Sequence, residues 1–225
     1  MAFVCSQSKE SLKKLNHKGA LDYIKWGENQ YTNKKASHTV SGIRWPDVKS
    51  VSTNMPYWYS FRLKKQGHFI VSALVRERFF FAYNKPALND TNMFYHGRFA
   101  EGNDLAVNCA LLNTTLTYVM VEIFGRLNIG GRLNLYGTEY SQLPVLNKNH
   151  INSTSKQMVI EKYEALSNRT LLPIRQELNR ADRIEFDTFV MKTFGIHKIL
   201  SVENLYSSFH NLVDNRLTRE LKAGD

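Results

Sequence analysis

Between Tyr57 and Tyr95 aromatic and β-branched residues crowd the chain, and turn-forming residues at Gly67, Asn84-Lys85-Pro86 and Asn89-Asp90 cut the crowd into pieces of strand length. Tyr57, Trp58, Tyr59 and Phe61 form the first piece, Phe69-Ile70-Val71 the next, then Phe79-Phe80-Phe81 with Tyr83, and finally Phe94-Tyr95. Such a stretch predicts a small sheet. Directly after it, Leu105, Cys109, Leu112, Leu116, Val119 and Ile123 recur at three and four residues, which predicts one helix, capped by Asp104 and closed by Gly125 at its C′ position. Gly130-Gly131 then marks a turn, with Leu133 to Tyr136 as a short strand and Leu143-Pro144-Val145 as an extended piece.

Residues 147–156, Asn-Lys-Asn-His-Ile-Asn-Ser-Thr-Ser-Lys, have a linker's composition. Beyond them, apolar positions at Ile160, Tyr163 and Leu166, at Ile184, Phe186 and Val190, and at Leu205, Phe209 and Val213 predict about three helices broken at Pro173 and Gly195. At the other end, residues 9–30 read as a short helix or two interrupted at Gly19, and residues 30–53 as polar, basic loop. With 225 residues, 43% of them hydrophobic and 22% charged, the chain is able to bury a core. The expected organisation is α+β. A basic N-terminal connector (1–50) leads into a small mixed or antiparallel sheet with packed helices (51–147), and a helical region follows (157–225).

Charge is one-sided. Of the formal +10, the first hundred residues carry 16 Lys and Arg against 6 Asp and Glu, while the rest of the chain is close to balance. Such a distribution points to a polyanionic partner, nucleic acid before a membrane surface. Cys5 and Cys109 alone make neither a disulfide framework nor a zinc pair, which fits a reducing, cytoplasmic setting. No apolar run approaches the roughly 18 residues of a bilayer span, so no membrane partner is expected.

Catalytic patterns are sparse. Asn54-Met55-Pro56-Tyr57 comes near the Asn/Asp-Pro-Pro-Tyr motif of amino-methyltransferases, but Met55 replaces the proline that makes the turn rigid, and no glycine-rich turn precedes it to seat a methyl donor. A nuclease built on Asp47 lacks a well-placed acidic-x-Lys partner, because Glu77-Arg78-Phe79 carries no lysine and Glu220-Leu221-Lys222 lies far off. Seven histidines show no metal-ligand spacing. The basic residues are more informative: Lys34, Lys35, Arg44, Lys64, Lys65, Arg76, Arg78 and Arg98 interleave with Trp45, Tyr57, Trp58 and Tyr59, and Arg126 and Arg132 flank Gly130-Gly131. Cations neutralise phosphates and aromatics pack on sugars or bases. The same residues also suit a solvated face over an aromatic core, and composition does not choose.

The order of residues from 110 to 145 resembles a known family. Ala110-Leu111-Leu112-Asn113-Thr114-Thr115-Leu116-Thr117-Tyr118, then Glu122-Ile123-Phe124-Gly125-Arg126, the Gly130-Gly131 turn, Leu133-Asn134-Leu135-Tyr136 and Gln142-Leu143-Pro144-Val145 resemble the target-recognition region of adenine-specific DNA methyltransferases of restriction-modification systems. Asp22 to Glu28 with Arg44-Trp45, and Arg183-Ile184-Glu185-Phe186-Asp187 running to Phe194-Gly195-Ile196, resemble its two flanks. The resemblance implies a module that reads double-stranded DNA and catalyses nothing alone. S-adenosylmethionine and the catalytic motifs would belong to a separate methyltransferase subunit or domain, and this chain itself would hold no cofactor and no metal. The alternative is a protein-interaction subunit that docks on a methylase or nuclease without touching DNA.

Overall fold

The computed structural model describes residues 5–33, 41–53, 56–60, 66–88, 93–100 and 104–221, the last three as backbone only. The chain separates into two compact units, Met1–Lys65 and Gln66–Asp225. The segment expected to link two domains, 147–156, therefore lies inside the second unit.

In the first unit, α1 (Lys9–Lys14) opens on Ser8, whose Oγ accepts the Ser11 N–H at 3.1 Å. The next helix, α2 (Lys18–Glu28), contains Gly19. The interruption expected there falls instead at Asn16, which holds φ +55°. Leu12, Ile24 and Tyr59 form a small core, and the Tyr59 hydroxyl donates to the Gln7 carbonyl at 2.9 Å. Residues 41–53 are more ordered than the loop expected: Arg44 bridges to Tyr31, Pro46 starts a 3-10 turn at Trp45–Asp47, and α3 (Lys49–Ser52) follows.

The second unit is the mixed α+β body. It contains two antiparallel three-stranded sheets among the described residues, where one had been expected. The first joins β1 (Phe69–Ser72) to β3 (Ala82–Tyr83) and β4 (Phe94–Gly97) in the order β3-β1-β4. β2 (Leu74–Val75) belongs to the other sheet, with β5 (Arg126–Asn128) and β6 (Arg132–Asn134), in the order β2-β6-β5. Ser72 makes the division. Its hydroxyl donates to the Leu74 carbonyl at 2.7 Å and accepts the Leu74 N–H at 3.2 Å, a local turn that competes with strand pairing.

The helix expected over 104–125 is two, α4 (Leu105–Leu112) and α5 (Thr115–Phe124), bent by 61°. Asn113 at the bend is buried and bonds both backbone groups of Phe81, Nδ2 donating to its carbonyl at 2.8 Å and Oδ1 accepting its N–H at 3.0 Å. Thr114 then caps α5 by accepting the Thr117 N–H. Asp104 holds the N-cap position of α4 as expected, but its side chain makes no capping bond; it sits at φ +54° and its carboxylate takes Lys156 (2.9 Å) and Lys148 (3.3 Å). Gly125 leaves α5 in extended conformation, not as a left-handed C′ residue.

A short helix, α6 (Gly137–Gln142), was not foreseen. After it come α7 (Ser153–Ser167), α8 (Ile174–Glu177), α9 (Ala181–Thr193) and α10 (Val202–Leu221), interrupted at Pro173 and Gly195 as expected. The linker-like residues 147–156 are tightly turned: Asn147 and Asn152 accept the N–H groups of Asn149 and Ser155. Three apolar clusters lie in the unit, the smallest around Met191, Val202 and Leu205. The largest, around Phe79, Tyr118, Leu133 and Phe209, takes in Val71 of β1 and Val75 of β2; a second joins Val107, Leu111, Val159 and Phe186 from α4, α7 and α9.

Buried polar groups bind these layers. Arg183 of α9 donates Nη1 to the Asn113 carbonyl at 2.6 Å, and Asp187 accepts the Thr115 N–H (3.0 Å), the Thr115 hydroxyl (2.6 Å) and the Tyr206 hydroxyl (2.8 Å). Glu177, almost fully buried, takes both guanidinium ends of Arg169. Burial opposes the Glu177 charge, yet the Arg169 hydrogen bonds and the charge of Arg183 hold its carboxyl below the usual glutamate range. No single helix among the described residues is long and apolar enough to cross a membrane.

Candidate nucleic-acid interface

The β5–β6 hairpin is the place where backbone and basic residues come together. The chain leaves α5 at Gly125, runs through β5, turns at Ile129-Gly130-Gly131 and returns as β6. Gly130 and Gly131 hold φ +84° and +57°, a left-handed pair that side chains rarely adopt. Opposite residues in antiparallel strands share a face. Arg126 pairs with Asn134 and Asn128 with Arg132, so these four polar side chains stand on one face; Leu133 and Val75 are buried under the other. Arg76, one residue past Val75, extends that register toward Arg132. The face therefore carries Arg76, Arg126 and Arg132, all exposed.

Each arginine is held differently. Arg126 pairs with Glu139 and lies over the Tyr136 ring at 5.8 Å. Glu139 also accepts the Tyr136 N–H and the Thr138 hydroxyl, each at 2.9 Å, closing the capping box of α6. Hydrogen bonding to its own amide first, then to Thr138 and Tyr136, with Arg126 nearby, keeps the Glu139 carboxyl below its ordinary range. Arg132 makes no ion pair among the described residues. Arg76 is anchored by its backbone, because its carbonyl accepts Nη2 of Arg216 at 2.5 Å.

Arg216 is the residue that sequence reasoning missed. It lies on α10, is 6% exposed, and forms a bidentate pair with Glu122 of α5 at 2.7 and 3.1 Å. It also donates to the Gly131 carbonyl at the hairpin turn. One buried guanidinium thus fixes β2 and the hairpin relative to each other. Its sequence signal was spacing alone: Arg216 falls three residues after Val213 and seven after Phe209, on the buried stripe of its helix.

Within the second unit, Arg78 and Arg98 are engaged elsewhere. Arg78 donates Nε to the Leu171 carbonyl at 3.3 Å, and Arg98 donates to the Gln66 carbonyl at 2.8 Å beside β4. Arg44, in the first unit, pairs with Asp47 at 2.9 Å. Lys34, Lys35, Lys64 and Lys65 lie outside the described residues, as do Asn54 and Met55 of the methylase-like tetrapeptide. Its Tyr57 stacks on Tyr59, with centroids 5.1 Å apart. Cys109 is wholly buried, and burial pushes its thiol up to about 12, away from nucleophilic use.

A cavity of about 600 Å³ opens between residues 80–85 and α7. Its polar groups Asn113, Arg169, Glu177 and Arg183 are already engaged in the framework described above. Among the described residues no group of three or more His, Cys, Asp or Glu is gathered to hold a metal. No family model matches the sequence, and no curated protein or solved structure is found to be similar to it.

Proposed function

We propose that this chain is the target-recognising part of an adenine-specific DNA methyltransferase of a restriction-modification system, as a separate subunit or a fragment. It grips double-stranded DNA in the cytoplasm and leaves methyl transfer from S-adenosylmethionine to a catalytic partner. The observation that carries this reading is the exposed arginine face of the β2-β6-β5 sheet. A two-stranded ribbon fits a groove of the duplex, and Arg76 and Arg132 stand where phosphates or base edges would pass. A second observation supports it: the two stretches that resemble the family, 110–118 and 183–187, bond to each other through Arg183 to Asn113 and Asp187 to Thr115.

Duplex binding across a salt series tests the reading. The expected result is binding at low salt that falls steeply as salt rises, with Arg132→Ala weakening it and reducing the slope of log K against log salt by about one. Absence of binding at low salt would overturn it. Incubation of the purified chain with labelled methyl donor and DNA should transfer no label.

A protein-docking role has one observation in its favour. β5 is an outer strand whose three residues are all exposed, and Leu127 and neighbouring Ile123 add apolar surface there. If that role is the true one, the chain binds no duplex even at low salt, and substitution of Leu127 by Lys abolishes partner capture.

A further inference from the structure

We propose that Ile129 is an apolar wedge that enters a base step of duplex DNA, with the β5–β6 hairpin as its rigid carrier. This rests on the preceding reading of the hairpin face. Ile129 stands at the turn and is 92% exposed, the most exposed of the large hydrophobic residues described. A flexible loop would excuse such exposure, but this turn is held. Asn128 Oδ1 accepts the Ile129 N–H at 2.7 Å, and the Gly131 carbonyl two residues on is bonded by the buried Arg216 guanidinium. The fold thus spends an interior charge on presenting a bare isoleucine to solvent.

The surroundings identify the occupant. Immediately beside Ile129 are Asn128 and Arg132, a cross-strand pair, with Arg126 and Arg76 on the same face and Glu139 the only acid among these contacts. An apolar tip in a cationic setting suits a polyanion with a stack that opens, which is the design of proteins that push Ile, Leu, Phe or Pro between base steps while arginines hold the flanking phosphates. Arg126 already has Glu139, but a neutral protein surface would leave the Arg76 and Arg132 guanidinium groups uncompensated.

The test begins by selecting duplexes bound by the intact chain from a random-sequence pool. Failure to select any would overturn the DNA reading itself, before the wedge is addressed. On a selected duplex, 2-aminopurine placed at each step in turn should brighten at one step with the wild-type chain, and end-to-end fluorescence transfer should report a bend. Ile129→Ala, at an exposed position, should keep the thermal midpoint while losing the bright step and the bend and weakening binding about tenfold; Ile129→Phe should restore them. Arg132→Ala should instead lower the salt slope and keep the bright step. The wedge is overturned if Ile129→Ala binds and unstacks DNA like the wild type. It is equally overturned if that variant spares DNA binding while losing attachment to anionic vesicles or to a protein.

Discussion

The two sheets of the second unit begin in one apolar run, Phe69 to Val75, yet they are finished by opposite means. The β3-β1-β4 sheet is a ring-packed layer: Phe69 lies edge-on to Phe81 at 5.8 Å and tilted on Phe99 at 5.1 Å, and Gly97 leaves the space that the Phe69 ring fills. Its neighbour, β2-β6-β5, buries Val75 and Leu133 on one side and turns arginines outward on the other, and a buried ion pair holds its turn. A layer held by rings specifies a core. One held by a guanidinium specifies a position, because hydrogen bonds carry direction that apolar contact lacks.

The sharpest way to separate the two is Arg216→Ala. It strands the Glu122 carboxylate in the interior and frees the Gly131 and Arg76 carbonyls, and the expected loss is about 3–5 kcal/mol in urea unfolding of the chain. Replacing both members, Arg216→Leu with Glu122→Leu, should recover most of that stability without restoring duplex affinity. Recovery of both would show that the ion pair positions nothing.

Gly97→Ala attacks the other sheet. A methyl group there meets the Phe69 ring, which must shift from its packed place, at a cost of about 1–3 kcal/mol. Duplex binding measured below the unfolding transition should be unchanged. If it falls with stability, the two sheets are one mechanical element and the contrast drawn here is broken.

The smallest effect is expected from acid. Because the Glu139 carboxyl lies below its ordinary value in the folded chain, the stability it lends is complete above the unfolded glutamate range, about 4.3, and is lost as pH falls through the lowered value. The Tyr136 amide, which donates to that carboxylate, should shift in NMR spectra with a midpoint below the ordinary one. A midpoint at or above it would remove Glu139 from the account of how Arg126 is held.

What the sequence disclosed follows from how local each cause is. Pro173, Gly195 and Gly130-Gly131 act on their own backbone, and the breaks and the turn were found where those residues stand. Asn152 caps α7 through a contact three residues away, yet composition alone had suggested a linker. The bend at Asn113 was hidden because its partner, Phe81, is 32 residues distant, and the apolar spacing of 105–123 is the same for one helix or two. Splitting of the sheet was hidden in a serine hydroxyl. At the candidate site, Arg126 and Arg132 were legible as arginines flanking a glycine turn. Their union with Arg76 was not, since it depends on the 140-residue link from Arg216 to the Arg76 carbonyl.

That link sets an order on synthesis. The ribosome releases the strands and the glycine turn long before residue 216 emerges, and until then the turn's carbonyl has no guanidinium to meet. A nascent chain stopped short of the last helix would therefore carry every arginine of the face and still lack the bond that fixes the glycine turn against β2.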